Sequence, residues 1–439
     1  MSFRAEIAGK VDLFDLHAHD PAAYPFLLQS VAGHPVSGRY DILFAFPQKS
    51  FTGEVSGDFF ADLSREFADE PKTPATDLPF CGGWFVYLGY EAAQQIEPTL
   101  KLPPSPYRLP DALAVRCPAA AIFDRQRQVT QLVAEHSSQQ LNRLRDDLLH
   151  YINNEPQDID KINVLSINVD APSVFLQGVS RVHEYLAAGD SFQINLSRGW
   201  RAKLDAESSY QTIYRQLREQ NPAPFAGLAS WKGTVLLSSS PERLVSVDHG
   251  VVETRPIAGT RARGDEHSID AALQRELTDS IKERAEHIML IDLERNDLGR
   301  ICEPGSIEVS ELMTIESYAH VHHIVSNVRG RLRAGKGPGE VLKAVFPGGT
   351  ITGCPKVRSM EIIAELEGVG RGPYTGAMGY LSRCGRLDTN ILIRTLICED
   401  GVASFRAGAG IVSDSVAAAE LAETEAKARG LLLALGAAA

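Results

Sequence analysis

The stretch that decides the fold is Pro172–Leu204, which reads PSVFLQGVSRVHEYLAAGDSFQINLSRGWRAKL. Its first part predicts a helix that stops at Gly189, because glycine is typical of the position just after a helix. The part that follows, from Ser191 to Leu204, predicts a β-strand. A helix therefore leads directly into a long strand near the middle of the chain.

Further segments of the chain predict strands that follow one another with few helices between them. They are residues 39–47, 82–92, 119–136, 234–240, 244–255, 320–332, 374–383, 389–400 and 402–414. Long helical segments are predicted at 268–299 and 416–435. Because the strands do not alternate strictly with helices, the pattern predicts an α+β protein with mainly antiparallel sheets.

The composition is that of an ordinary globular protein, with 439 residues and a formal net charge of −12. An acidic chain argues against a nucleic-acid partner, which would need clustered Lys and Arg. The chain has no run of about eighteen apolar residues that would predict a membrane span. Its six cysteines show neither zinc-site nor disulfide-framework spacing. We therefore expect a reduced, cytoplasmic protein with no membrane partner.

The polar segment INNEPQDIDKIN, residues 152–163, predicts a linker. After it, strand and helix signals become denser. We therefore place an N-terminal region at residues 1–165 and a second region, which carries most of the chemical motifs, at residues 173–433.

Two helical segments carry pairs of glutamates three residues apart. Glu283 and Glu286 form one pair, and Glu420 and Glu423 form the other. Residues at this spacing share one face of a helix. Four carboxylates that converged from two helices would need a hard cation between them, and oxygen-only ligation suits Mg²⁺. From spacing alone, solvated helix faces remain the more common explanation.

A second group of residues could bind anions. The stretch RAGAGIVSD places Gly408 and Gly410 where backbone amides could face an anion. Arg394, Arg406 and Lys427 could bind carboxylates, and ordinary surface ion pairs are the alternative. These residues indicate an acidic ligand without identifying it.

His323 is the last histidine of the run HVHHIVS, and it lies on the same strand face as Val321 and Val325. A histidine on an apolar face is more often a hydrogen-bonded core residue than a proton donor. Both roles stay open from the strand pattern.

Nine motifs taken together resemble the chorismate-utilising enzymes. In chain order they are SSSPERL, RPIAGTRARG, KERAEHIMLIDLERNDLGR, HHIVS, FPGGTITGCPK, YTGAMGYLS, ILIRTL, AGAGIV and ETEAK. The family includes anthranilate synthase component I, aminodeoxychorismate synthase component I, isochorismate synthase and salicylate synthase. The resemblance implies an anthranilate synthase component I-like fold, with mainly antiparallel sheets packed as a sandwich and helices outside.

The resemblance also implies a Mg²⁺ ion that bridges the ring carboxylate of chorismate to the glutamate pairs. Glu286 and Glu423 would be direct ligands, with Glu283 and Glu420 binding directly or through water. Metal on this carboxylate would withdraw electrons from the ring, so that a nucleophile adds at C2 while the C4 hydroxyl leaves. Glu242 would protonate that hydroxyl, which requires a carboxylic acid kept protonated by burial.

The same resemblance implies a set of substrate contacts. They are Tyr374, Arg394 and the amides around Ala409 and Gly410 for the enolpyruvyl carboxylate, and Lys427, Gly259 and Thr260 for further carboxylate contacts. His323 would lie beside the departing groups, in every branch of the family.

Gln193 predicts the class of nucleophile. The water-adding members of the family resemble one another in carrying lysine at this position as a base, and glutamine cannot act as that base at neutral pH. Ammonia needs no such base, so we expect amination. Ala258 in the middle of PIAGT is typical of anthranilate synthase, whereas a well-known aminodeoxychorismate synthase has a nucleophilic lysine there.

The N-terminal region indicates the other aminating branch. YPFLLQSVAGHPVSGRYDILFAFP and LPFCGGWFVYLGYEA resemble aminodeoxychorismate synthase component I more closely. Gln29 stands where anthranilate synthases have a glutamate that binds the ammonium group of tryptophan, and a neutral amide would bind that group more weakly. We expect amination at C4, with anthranilate formation as the alternative and a non-catalytic chorismate or tryptophan sensor as a less favoured one.

A tryptophan pocket is predicted from Gln29, Ser30, Pro224 and Phe225. The chain has no G-x-C-x-G nucleophile elbow for hydrolysing glutamine. The resemblance therefore implies a separate glutamine amidotransferase subunit as the ammonia source, and a separate aminodeoxychorismate lyase downstream.

Overall fold

The structure is a computed structural model that describes residues 3–31, 38–53, 57–70, 73, 76–152, 162–263, 267–317 and 321–437. At residues 260–262, 267–269, 271, 282 and 321 it describes the backbone alone. None of the described helices combines the length and apolar composition that a bilayer-spanning segment needs.

The strands of the N-terminal region are β1 Phe3–Ala8, β2 Phe26–Gln29, β3 Tyr40–Ala45, β4 Ser50–Gly53, β5 Gly83–Leu88, β6 Ala112–Cys117, β7 Ala119–Asp124, β8 Val129–Ala134 and β9 Val164–Val169. The later strands are β10 Gln193–Leu204, β11 Phe225–Trp231, β12 Thr234–Ser240, β13 Arg243–Asp248, β14 Val251–Thr254, β15 Ile257–Ala262, β16 Glu308–Ser317, β17 Val321–Arg331, β18 Gly353–Cys354, β19 Ala377–Ser382, β20 Leu387–Ile391, β21 Thr395–Glu399 and β22 Val402–Ile411.

The α-helices are α1 Leu13–His19, α2 Phe59–Asp69, α3 Ser138–Ile152, α4 Pro172–Ala187, α5 Tyr210–Gln220, α6 His267–Asp279, α7 Ile281–Gly299, α8 Pro338–Val345, α9 Lys356–Glu367 and α10 Ala417–Ala434. Short 3-10 helices lie at Tyr90–Gln95 and Gly349–Ile351. The predicted helix at 172–190 and the strand after it are therefore present as α4 and β10.

The described strands form two antiparallel sheets. Twelve strands form the first sheet, in the order β1-β8-β7-β3-β2-β11-β12-β21-β22-β10-β18 with β9 beside β10. Ten strands form the second, in the order β15-β17-β14-β13-β20-β19-β5-β6-β4 with β16 beside β17. In each sheet, a block of strands from before residue 165 lies beside a block from after it. Both sheets therefore contain strands of the two predicted regions.

The sheets pack face to face through an aromatic core. Phe26 of the first sheet stacks on Phe85 of the second, with ring centroids 4.0 Å apart and nearly parallel planes. Neighbouring residues of both sheets complete this cluster. The outer face of the first sheet packs on α1, α3, α5 and α10, and that of the second packs on α2, α7 and α8. The predicted α+β sandwich with helices outside is confirmed.

The helical segment predicted at 268–299 is interrupted, which corrects the expectation of one continuous helix. Ser280 ends the first helix and caps the second, because its side chain accepts a hydrogen bond from the backbone amide of Glu283. Serine is a favoured N-cap residue for this reason. The break gives α7 its own direction and places its first turn against β15.

A buried carboxylate connects α9 to the first sheet. Glu367 lies 2.7 Å from Arg371 Nη2 and 3.1 Å from Arg406 Nη2. It also accepts hydrogen bonds from the backbone amide and hydroxyl of Ser197, at 2.9 and 2.8 Å. Burial alone would raise the pKa of Glu367, but the two arginines hold this pKa below its usual value. Arg371 donates in turn to the carbonyl of Asn195, at 2.7 Å.

Replacing Glu367 with alanine is expected to destabilise the fold by about 3–5 kcal/mol, because two buried guanidinium groups would lose their counter-charge. The free energy of unfolding, measured by urea denaturation, checks this. Asp400→Ala is the control, since it removes the 74% exposed partner of Arg108 and should cost about 1 kcal/mol or less. Similar losses in both variants would contradict the assigned role of Glu367.

Candidate active site

A cavity of about 150 Å³ opens where strands of the two sheets meet. The first sheet contributes β10 and β22, and the second contributes β15 and β17. The lining residues are Asn195, Pro241, Glu242, Ile257, His323, Thr350, Ile351, Tyr374, Ile393, Arg394, Arg406, Ala407, Gly408 and Lys427. We call this space the catalytic cavity. It contains both acidic and basic side chains in a largely enclosed setting.

Glu242 is the buried acid of this cavity. It follows β12 and is 6% exposed, and its Oε1 accepts a hydrogen bond from Thr350 Oγ1 at 2.8 Å. Burial raises the pKa of Glu242 to about 7, although the Thr350 bond, the backbone amide of Ile257 and the charges of Lys427 and Arg394 oppose the rise. Glu242 can therefore donate a proton near neutral pH, as a general acid must.

His323 is neutral in this setting. Burial and the nearby charge of Arg394 lower the pKa of His323 to about 4, and a hydrogen bond with the backbone of Gly259 only partly offsets them. Arg394 has a backbone φ of 51°, which directs its side chain into the cavity from the turn between β20 and β21. Burial lowers the pKa of Arg394, and Glu242 opposes this.

The other cations of the cavity are fixed by the first sheet and α10. Arg406 donates to Ser197 Oγ at 3.0 Å. Lys427 Nζ donates to the backbone carbonyl of Gly408 at 3.0 Å. A Cβ atom at Gly408 would lie 2.7 Å from the hydroxyl of Tyr374, so glycine is required for this ring to reach the cavity. Three cations around one protonated acid favour an anionic ligand.

The first turn of α7, which carries the predicted ligand Glu283, lies beside β15. Gly259 has a φ of +68°, and a Cβ atom there would lie 2.9 Å from Oε2 of Glu283. Glycine at this position therefore leaves room for that carboxylate. Glu283 and Glu286 are both half-buried. The backbone of Thr260 pairs with that of His323, while the side chain of Thr260 lies outside the described part of the structure.

The predicted ligands on α10 differ in exposure. Glu420 is buried, whereas Glu423 is exposed and its Oε1 lies 2.6 Å from Lys427 Nζ. A positive charge is thus already accommodated beside Glu423. Among the described residues, no group of three or more His, Cys, Asp and Glu side chains is close enough together to hold a metal ion. The oxygen-only donors still suit Mg²⁺, which commonly uses one or two protein carboxylates together with substrate and water.

The structure thus brings seven predicted residues to one cavity, which are Glu242, His323, Tyr374, Arg394, Arg406, Gly408 and Lys427. Gln193, Ala409 and Gly410 lie on the adjoining β10 and β22 and do not line it. The Ala409 methyl points into an apolar cluster with α4 and α9. Two polar lining residues, Asn195 and Thr350, were missed. Asn195 could have been found, because it is two residues from Gln193 on the same strand.

All four residues of the predicted tryptophan pocket line a second cavity of about 410 Å³. Ser30 Oγ donates to the carbonyl of Pro224 at 3.1 Å, and Arg243 lies over the ring of Phe225 at 5.1 Å. Gln29 Oε1 accepts hydrogen bonds from Tyr214 at 3.0 Å and from Arg218 at 3.5 Å. The oxygen of Gln29 is therefore already engaged by protein donors.

A buried carboxylic acid among cations that suit carboxylates defines an enzyme acting on a small acidic molecule. A family model described as chorismate binding enzyme matches residues 28–433. The chain belongs to this family, as the ordered motifs predicted.

Named relatives fall in two branches of the family. Over 413 residues the chain is 41% identical to an anthranilate synthase component I-like protein of Synechocystis, covering 92% of this chain and 84% of that one. It is also 41% identical to aminodeoxychorismate synthase component 1 of Bacillus subtilis, covering 93% and 91%. The crystal structure of anthranilate synthase component I from Streptococcus pneumoniae superposes with a TM-score of 0.81 at 32% identity, covering 91% and 93%.

Replacing Glu242 with glutamine is expected to change how stability depends on pH. The pKa of Glu242 is raised to about 7 from 4.5, so the folded state keeps a proton that the unfolded state loses as pH rises from 4.5 to 7. Wild-type stability should therefore fall across this window, by at most about 3 kcal/mol. Glu242→Gln should gain stability over the wild type by that amount at pH 8. Urea denaturation of both proteins at pH 4.5 and at pH 8 checks this. A stability difference between variant and wild type that does not change with pH would contradict it.

Proposed function

We propose that the chain is an aminodeoxychorismate synthase component I, which aminates chorismate at C4 to 4-amino-4-deoxychorismate for 4-aminobenzoate and folate synthesis. The observation that carries amination is Gln193 at the start of β10. Its amide cannot deprotonate water, whereas ammonia is a nucleophile without a base. Ammonia is therefore the expected nucleophile.

Glu242 would deliver the proton that lets the C4 hydroxyl leave as water. Its raised pKa and its burial keep the acid protonated before the substrate arrives. Thr350 would orient the carboxyl group through its hydrogen bond to Oε1. Neutral His323 would contact the departing group without competing for the proton.

Tyr374, Arg394 and Lys427 would bind the two carboxylates of chorismate. Arg394 already faces the cavity, and the Gly408 carbonyl holds Lys427 at its edge. Preorganised charges of this kind stabilise developing charge better than mobile ones do. Orientation of the ring between these contacts would present C4 to Glu242.

Mg²⁺ would be held by Glu286 and Glu423, with Glu283 and Glu420 binding directly or through water. When bound, it would supply electron withdrawal from the ring through the C1 carboxylate. For Glu423 to reach the metal, Lys427 would exchange its ion pair with Glu423 for a substrate carboxylate. Glu283 lies beside Gly259 of β15, and Glu423 pairs with Lys427, which lines the catalytic cavity; these two contacts support the assignment.

Amination at C4 is supported by Gln29 and by the relative from Bacillus subtilis. Gln29 is a neutral amide whose oxygen already accepts hydrogen bonds from Tyr214 and Arg218. It therefore provides no carboxylate for the ammonium group of a feedback amino acid. Ala258 carries no nucleophile, so ammonia itself would add at C2 as the C4 hydroxyl leaves as water. A second ammonia would then add at C4 as the first leaves. Ala258 itself favours a second candidate, anthranilate synthase component I, which would release pyruvate and anthranilate.

A separate glutamine amidotransferase subunit would supply the ammonia, and a separate lyase would form 4-aminobenzoate from the product. Both partners follow from the proposed branch of the family. Free ammonium salt should replace the amidotransferase in vitro, because ammonia is the species that reacts.

Product analysis with chorismate, Mg²⁺ and ammonium salt should give a product that becomes 4-aminobenzoate only after aminodeoxychorismate lyase is added. Chromatography with and without the lyase checks this. Blue anthranilate fluorescence without the lyase would instead establish the second candidate. No consumption of chorismate under any of these conditions would favour a sensor.

Glu286→Gln and Glu423→Gln should each lower turnover of chorismate by at least about a hundredfold and raise the Mg²⁺ concentration needed for half-maximal rate, because metal ligands are removed. Glu425→Gln is the matched control on α10, since Glu425 is exposed and pairs with Arg198. Unchanged turnover and Mg²⁺ dependence in Glu286→Gln would reject the metal assignment.

The second cavity should bind tryptophan, and Gln29→Glu should tighten that binding because a carboxylate attracts the ammonium group. Isothermal titration calorimetry of the wild type and the variant checks this. Indole-3-propionate, which lacks the ammonium group, should gain nothing from the substitution. Absence of saturable heat in both proteins would reject the tryptophan pocket.

A further inference from the structure

Two amide oxygens on β10 are buried and have no hydrogen-bond partner among the described residues: Gln193 Oε1 and Asn195 Oδ1. Asn195 is 8% exposed. A buried carbonyl oxygen without a donor is costly, and such atoms in a native protein usually bind something. Two of them, at neighbouring positions of one strand face, indicate a site for a hydrogen-bond donor.

Glycines on the adjoining strand hold both amides on the same side of the sheet. A Cβ atom at Gly408 would lie 2.9 Å from Asn195 Oδ1, and one at Gly410 would overlap the side-chain amide of Gln193. Gly408 and Gly410 are two residues apart on β22, so they face the same side. The paired amides therefore form a short row that follows β10, and glycine on β22 leaves the space for it.

The two ends of the row have different neighbours. Asn195 lines the catalytic cavity. Gln193 lies beside Phe192 in sequence and opposite Cys354 in the sheet, and both of these residues line a larger cavity of about 810 Å³. The row therefore extends from the catalytic cavity toward residues that line the larger one.

We propose that Gln193 and Asn195 form a binding site for ammonia at the edge of the catalytic cavity, and that Asn195 positions the nucleophile. This inference rests on the proposed amination. Ammonia has three N–H donors for the two oxygens and keeps its lone pair for the reacting carbon. The row has no carboxylate, and Arg394 of the cavity repels ammonium, so the site favours the neutral, nucleophilic form.

A buried water could satisfy the same two oxygens, and the test separates the two occupants. Asn195→Leu removes the acceptor at nearly constant volume. It should raise the KM for free ammonia roughly threefold to tenfold, the effect of one lost hydrogen bond, while the KM for chorismate changes less than about twofold. Gln193→Leu should act in the same direction, and Asn195→Ser, which restores a neutral acceptor oxygen, should recover part of the affinity.

Asn327→Leu is the matched control, because Asn327 Oδ1 is also buried and without a partner among the described residues, and Asn327 does not line the catalytic cavity. It should leave the KM for ammonia unchanged. Steady-state rates with chorismate, Mg²⁺ and ammonium salt at several pH values give each KM, and circular dichroism confirms folding. If Asn195→Leu does not fold, Gln193→Leu and Asn195→Ser decide the outcome.

An unchanged KM for ammonia in the folded variants, with only kcat or stability lowered, would overturn the ammonia site and indicate a structural water. That result would leave the proposed function intact, because the wild type would still form an aminated product. A wild type that forms no aminated product from ammonium would reject the proposed function itself, and the ammonia site with it.

Discussion

The geometry of the catalytic cavity depends on the buried carboxylate of Glu367. It binds two guanidinium groups and both donors of Ser197, and Arg371 extends the contact to the Asn195 carbonyl. One anion at the end of α9 therefore fixes β10, the Arg406 side chain and the segment that leads to Tyr374. The two positive charges around it are stable in the interior only because it is there.

Burial controls the chemistry of the cavity in opposite directions for acids and bases. It raises the pKa of Glu242 to about 7 and lowers that of His323 to about 4, because the charged form of either group is poorly solvated there. Near pH 7, His323 is thus neutral and Glu242 is about half protonated. The cations of the cavity attract an acidic substrate, and protonation of Glu242 removes the repulsion that its carboxylate would exert.

The ordered motifs predicted the fold and the family. They also named Glu242, His323, Tyr374, Arg394 and Lys427, which line one cavity in the structure. Thr350 was missed because a lone hydroxyl carries no distinctive sequence signal, whereas Asn195 could have been found from its position two residues after Gln193 on β10. The break at Ser280 was missed because helical periodicity continues through it. Spacing could place each glutamate pair on one helix face, yet it could not show how far apart the two helices hold them.

The order of strands in the first sheet has a consequence for how the chain is made. β21 and β22, which span residues 395–411, lie between β12 and β10 and join the N-terminal half of the sheet to β10. Until β21 and β22 have left the ribosome, β12 and β10 each have one unpaired edge. Unpaired strand edges can pair with other chains and cause aggregation. The first sheet can therefore close only after the β21–β22 hairpin has been synthesised, because this hairpin fills the gap between β12 and β10.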